Sequence, residues 1–247
     1  MSKKKEQGLV QNLVSVQGII SFSKQMGDRY NPANADLQPE KATQKWEVGL
    51  LAMDAVSKEY TALQRSINDR RAIFKGLGAF ATRIIGALEA AQASEATIQD
   101  ARYLQRKLSG QRAAKKEEPP AVKEGEEAAV PRTISASQAG FDSKVEHFTR
   151  LVMLVSTEPA YKPNEAELSV AGLEQKLTAM KEANAAAILS KTKLNDARAR
   201  RHEVLFHPKT GLVQMGKQIK AYLKSVFGSN SPEYKQVRGL RLNSRKF

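Results

Sequence analysis

The sequence predicts an all-α fold of two tandem repeats, each of about four helices with one long helix, packed as a pseudo-two-fold bundle. Three observations predict it. Between Trp46 and Phe74 the residues Trp46, Gly49, Met53, Val56, Tyr60, Leu63, Ile67, Arg70 and Phe74 alternate spacings of three and four, which is one face of a helix. The same spacing returns 131 residues later, from Leu177 to Leu205. The loop Tyr30-Asn-Pro-Ala-Asn-Ala-Asp-Leu37 shares Tyr, Pro, Ala, an acid and Leu with Tyr161-Lys-Pro-Asn-Glu-Ala-Glu-Leu168 at that same displacement. Loop residues have no common periodicity that would produce such a match.

Each element can be justified in order. Val10, Val14, Ile19, Ile20 and Phe22, with polar residues between them, make residues 7–27 a first amphipathic helix. A Gly-, Asn- and Pro-bearing connector follows, and Pro39 stands where proline suits the first turn of the long helix, Glu40 to Phe74, roughly 50 Å at 1.5 Å per residue. Lys75-Gly-Leu-Gly78 ends it, as His207-Pro-Lys-Thr-Gly211 ends its counterpart. Leu77, Phe80, Ile84 and Leu88 form the face of a third helix, matched by Leu212, Met215, Ile219 and Leu223 at a displacement of 135. Ser94-Glu95 and Ser231-Pro-Glu233 are hydroxyl-capped starts of a fourth. The second copy opens on Phe141, Val145, Phe148 and Leu151. Charge blocks and prolines in 110–133 predict a disordered linker. The expected domains are therefore repeat 1 at 1–109, the linker at 110–133 and a more basic repeat 2 at 134–247, ending in a frayed basic tail.

The repeated Tyr-x-Pro loop and the segment Phe227-Gly-Ser-Asn-Ser-Pro-Glu-Tyr234 carry a resemblance. The whole chain resembles a group of bacterial proteins built as two related helical halves, to which no activity is attached. The resemblance implies a bacterial cytoplasmic setting and a duplication, and it carries over no functional residue.

Composition bounds the function. A 41% apolar and 27% charged chain of 247 residues should fold into one large or two modest cores. Cysteine is absent, which excludes disulfides, thiolate metal sites and cysteine nucleophiles and suits a reducing cytoplasm. The start MSKKKEQGLVQNLVSV lacks the continuous apolar core of a secretory signal, and no apolar run approaches the roughly 20 residues that cross a bilayer. A net charge of +14 favours polyanionic partners.

That charge is concentrated. Residues 191–247 hold fourteen Lys and Arg against Asp196, Glu203 and Glu233. Lys217, Lys220 and Lys224 form one helical stripe at i, i+3 and i+7, where the first copy has Thr82, Ile85 and Glu89. With Arg198, Arg201, Lys235 and Arg238 they are the candidate nucleic-acid contacts, made to phosphates and without base readout. The competing reading is a solvated face that keeps the chain soluble.

Other features read as structural. Arg70 and Arg201, matched on the inward face of the long helices, either mark where those helices leave the core, the favoured expectation, or are paired internally with a carboxylate or carbonyl. Asn184, Lys191 and Arg198 predict an exposed seam in the second copy, or one replaced by Ile188 and Leu189. Trp46 and Tyr60 are expected to be packing residues. Gly76-Leu-Gly78 is a helix break before it is a phosphate-holding hairpin. His147, His202 and His207 lack metal-ligand spacing, and no nucleophile or acid/base pair converges. The expectation is a non-enzymatic polyanion-binding protein, associated with nucleic acid or a ribonucleoprotein through the basic face of repeat 2, with no cofactor and no metal. The alternative is a structural or adaptor bundle acting through a protein partner or self-association.

Overall fold

A computed structural model of the chain describes residues 3–110 and 140–243. Their α-helices are α1 (Lys3–Gln25), α2 (Pro39–Phe74), α3 (Leu77–Ala90), α4 (Glu95–Ser109), α5 (Phe141–Ser156), α6 (Val170–Phe206), α7 (Leu212–Phe227) and α8 (Pro232–Arg238). Two short 3-10 turns precede α2, and there is no strand among the described residues. Nor is any helix among them long and apolar enough to cross a membrane. The linker expected at 110–133 lies, beyond Gly110, outside the described residues.

The helix boundaries follow from local chemistry. Ser94 Oγ accepts the Thr97 N–H at 3.1 Å, and Ser231 Oγ accepts the Tyr234 N–H at 3.0 Å, so both predicted hydroxyl caps form. Gly76 turns the chain from α2 into α3 in a left-handed conformation, φ +73°. A Cβ on Gly78 would stand 2.5 Å from Ser109 Oγ, so this glycine admits the end of α4. Both glycines of the Gly-Leu-Gly corner thus have structural work, in keeping with a helix break. At the matching corner His207 Nδ1 accepts the Thr210 N–H at 2.9 Å.

The described residues form two compact units, and these are not the two sequence halves. One unit comprises residues 1–63 with 190–247, and the other residues 64–189. In the first, Leu13, Val16 and Ile19 of α1 share a core with Leu205, Leu212 and Ile219 of α6 and α7. In the second, Leu77, Ile84 and Leu88 of α3 share a core with Phe148, Leu151 and Leu173 of α5 and α6. The expected boundary between 1–109 and 134–247 is therefore crossed by both cores. The reason lies in helix length: 36 residues span about 54 Å, more than one small core can cover, so the division falls inside α2 and α6 themselves.

The buried seam of the long helices corrects several expectations. Arg201 does not mark an exit from the core, because its side chain is only 4% exposed. Its guanidinium holds Glu6 at 2.9 and 3.2 Å and lies 3.9 Å from Met53 Sδ. Arg70 donates to Asn184 Oδ1 at 3.0 Å and lies 4.0 Å over the Phe141 ring. Asn184 in turn donates to Asp142. The second-copy seam is buried at Asn184 and Ala187, exposed as expected at Lys191 and half-buried at Arg198, while Ile188 and Leu189 are each 55% exposed; the paired amide of Asn184 keeps its place in the core and the hydrophobic pair faces out. Trp46 does pack, its Nε1 donating to Leu13 O at 3.0 Å, whereas Tyr60 is half exposed.

The repeated loop makes one contact twice. Tyr30 donates its hydroxyl to Leu37 O at 2.8 Å, and Tyr161 donates to Leu168 O at 2.7 Å. Burial raises both hydroxyl pKa values, with Tyr222 adding to the effect at Tyr30 and Glu165 at Tyr161, which reaches about 12.

Replacing either tyrosine, as Tyr30→Phe or Tyr161→Phe, should cost about 1 kcal/mol in urea denaturation, the usual net value of one such bond. Because the folded hydroxyls titrate above the unfolded value of about 10, their contribution is fully present below that pH and is lost as pH rises toward 12. Tyrosinate absorbance should therefore show Tyr161 ionising together with unfolding, and the Tyr161→Phe variant should lack that late component. Glu6→Gln should lower stability by about 1–2 kcal/mol in the same denaturation measurement; Arg201 is left buried with a neutral partner, but the site of Glu6 is partly solvated, which reduces the effect.

Candidate functional site

The amphipathic helix α7 orders the basic stripe. Leu212, Met215, Ile219 and Leu223 are buried, which turns Lys217 and Lys224 to solvent. Lys220 goes elsewhere. Its Nζ donates to Arg238 O and Leu240 O, each at 3.0 Å, and burial lowers its pKa from the ordinary lysine value. The middle lysine of the stripe is thus the clasp that closes the turn after α8, and its neighbours are the outward charges.

After α8 the chain lies back over α1 and α7. A Cβ on Gly18 would meet Leu240 Cδ1 at 3.2 Å, and one on Gly216 would meet Leu242 Cδ1 at 3.0 Å, so these two glycines provide the seats of the two leucines. Asn12, whose side chain is wholly buried, donates from Nδ2 to Asn243 O at 3.0 Å and accepts the Asn243 N–H on Oδ1 at 2.8 Å. Leu242 and Asn243 are therefore docked, and the expectation of a frayed tail does not hold for them. The last four residues lie outside the described ones.

Docking creates an open groove of about 560 Å³. Lys217, Lys220, Lys224, Arg238 and Arg241 line it, over a floor that includes Tyr234, Leu240 and Leu242, and no carboxylate is among its lining residues. Glu233, the acid of α8, is engaged by Arg29 at 2.8 Å, which holds its carboxyl below the usual range after the hydrogen bond from its own backbone N–H. Cations crowded without acids raise the local potential and draw anions.

Of the residues the sequence singled out, Lys217, Lys220, Lys224 and Arg238 come together here. Lys235 is exposed on α8 without lining the groove. Arg198 is half buried on α6, and Arg201 is enclosed with Glu6; neither lines it. Helical periodicity put Lys217, Lys220 and Lys224 on one stripe and the count of charges put all seven on one basic quarter of the chain, but neither could tell that Lys220 and Arg201 are engaged within the fold. Arg241, Tyr234 and Asn12 were missed. The alternation Leu240-Arg241-Leu242 was the available signal for Arg241; no local signal marks Asn12.

The histidines have structural settings. His207 caps its corner, His202 lies 5.1 Å from the Phe206 ring, and burial lowers the pKa of His147. Among the described residues no group of three His, Asp or Glu side chains is arranged to hold a metal ion. What the groove offers chemically is ion pairing and hydrogen-bond donation to an anion. Comparison with family models, with curated proteins and with solved structures found no match to this chain.

Proposed function

We propose that the chain is a non-enzymatic polyanion-binding protein whose α7–α8 groove takes the phosphate backbone of a nucleic acid, free or within a ribonucleoprotein. The observation that carries this reading is the convergence of Lys217, Lys224, Arg238 and Arg241 on one groove whose lining has no carboxylate. Lys217 and Lys224 stand two turns apart, about 10 Å along the helix, so they address separate phosphates. Lysine acts there as a point charge, and arginine offers a fork that fits a phosphate bidentately. Affinity would come mainly from released counterions and would carry little sequence information.

The same reading explains the difference between halves if one helical bundle was doubled with pseudo-two-fold symmetry. Arg70 touches Asn184 and Arg201 touches Met53, which is the same pair of positions exchanged across a displacement of 131. In a two-fold arrangement a contact between i and j′ implies one between i′ and j. The second partners, Phe141 and Glu6, are related by 135, the displacement of the third helix. Duplication would leave one copy free to become basic while Thr82, Ile85 and Glu89 remained in the other.

A second reading, an adaptor acting through protein contacts, is favoured by exposed Val10 and Val14 on α1 and Val48 and Leu51 on α2. Salt-titrated binding of random-sequence DNA and RNA oligonucleotides separates the two. Lys217→Glu with Lys224→Glu should weaken binding about tenfold or more at low salt and flatten the salt dependence by about two phosphate contacts. Unchanged binding in that variant would exclude the groove as the site. Absence of binding by the unaltered chain at low salt would leave the adaptor reading.

A further inference from the structure

Resting on the polyanion reading, we infer that Asn12 of α1 is a positioning residue of the groove, setting Arg241 in place by clasping the backbone of Asn243. The side chain is buried, carries no charge and is not among the groove's lining residues. Its amide offers one donor and one acceptor side by side, as a neighbouring peptide unit would, and it uses both on a single residue, at 3.0 and 2.8 Å. Such a clasp reads main chain and ignores side chain, so it fixes where the segment runs.

Arg241 stands between residues held on either side. Before it, Lys220 Nζ binds Arg238 O and Leu240 O, and Leu240 sits against Gly18. After it, Leu242 sits against Gly216, and Asn243 is in the grip of Asn12. With its neighbours seated inward, Arg241 is left exposed along the groove. An arginine already held at the site loses less conformational freedom on meeting a phosphate than one on a loose end, which is affinity gained by preorganisation. The same logic makes α1, from the far end of the sequence, part of a site whose charges all come from residues 217–241.

A double-mutant cycle read by oligonucleotide binding tests this. Arg241→Gln should weaken binding of a random single-stranded DNA about three- to tenfold at low salt and lower the salt slope by about one contact. Asn12→Ala should do the same although it removes no charge, and the double variant should be no weaker than either alone, since both act through one side chain. Trypsin should also cleave after Arg241 faster in Asn12→Ala than in the unaltered chain. If Asn12→Ala fails to keep its helical circular dichroism, Gly18→Val is the second route: it displaces Leu240 without touching Asn12 and should give the same loss. Full affinity in Asn12→Ala or Gly18→Val, or effects that multiply in the double variant, would overturn the inference while leaving the polyanion reading intact. An unaltered chain that binds no oligonucleotide at low salt would overturn the polyanion reading itself.

Discussion

A cation on the buried face of a long helix must be given a partner, and much of the arrangement within each unit follows from that requirement. Arg201 is 3% exposed, and an unpaired charge so enclosed would cost several kcal/mol. Glu6 supplies the partner in a two-oxygen contact. Because a guanidinium fork meets a carboxylate only in a narrow range of positions, this contact fixes the register of α1 along α6. Arg70 is handled differently: a neutral amide accepts one of its hydrogen bonds and an aromatic ring covers its face. In both cases the partner comes from the other half of the sequence. Each unit is thereby committed to a core assembled from both halves.

That commitment places α1 beside α7. Gly18 of α1 receives Leu240 and Gly216 of α7 receives Leu242, while Asn12 of α1 receives Asn243. The groove's charged lining and the support behind it are therefore different surfaces. α7 and α8 contribute charge, and α1 contributes the neutral, buried surface against which the last described residues lie. Separation of the two roles is physically sensible, since an amide buried with both hydrogen bonds made needs no counter-charge, whereas another lysine at position 12 would be buried beside cations with nothing to oppose it.

Elements that depend on neighbours in sequence were legible in the sequence. The long helices, the hydroxyl caps at Ser94 and Ser231, the glycine corner at Gly76 and the Tyr30 and Tyr161 loops rest on spacing or on bonds spanning a few residues. What could not be read was partnership at a distance. Glu6 and Arg201 are 195 residues apart, and Asn12 and Asn243 are 231 apart. Periodicity put Arg201 on the inward face and correctly made it a problem; it contained no information that Glu6 would solve it. The error over Ile188 and Leu189 has the same origin, because hydrophobicity alone favoured them over Asn184 until Arg70 and Asp142 gave that amide its bonds. For the site, the stripe Lys217, Lys220 and Lys224 was legible as a stripe and its division of labour was not.

That division bears on what the groove can recognise. Lys220 spends its hydrogen bonds on two carbonyls that α8 and the following turn would otherwise leave to water, so its charge stays near the groove while its donors are largely committed. Lys217 and Lys224 are exposed, and on the proposed reading their long side chains would meet phosphates whose positions vary. Crowding these cations with Arg238 and Arg241 opposes docking of the segment through like-charge repulsion, and screening by salt only partly relieves it. The docked state is held against that repulsion by contacts that carry no charge: two leucines over two glycines and one amide clasp. On the proposed reading, a polyanion in the groove would remove the repulsion and leave the neutral contacts unopposed. Binding and docking would then favour each other through the same residues, as linkage requires of any ligand that prefers one of two states.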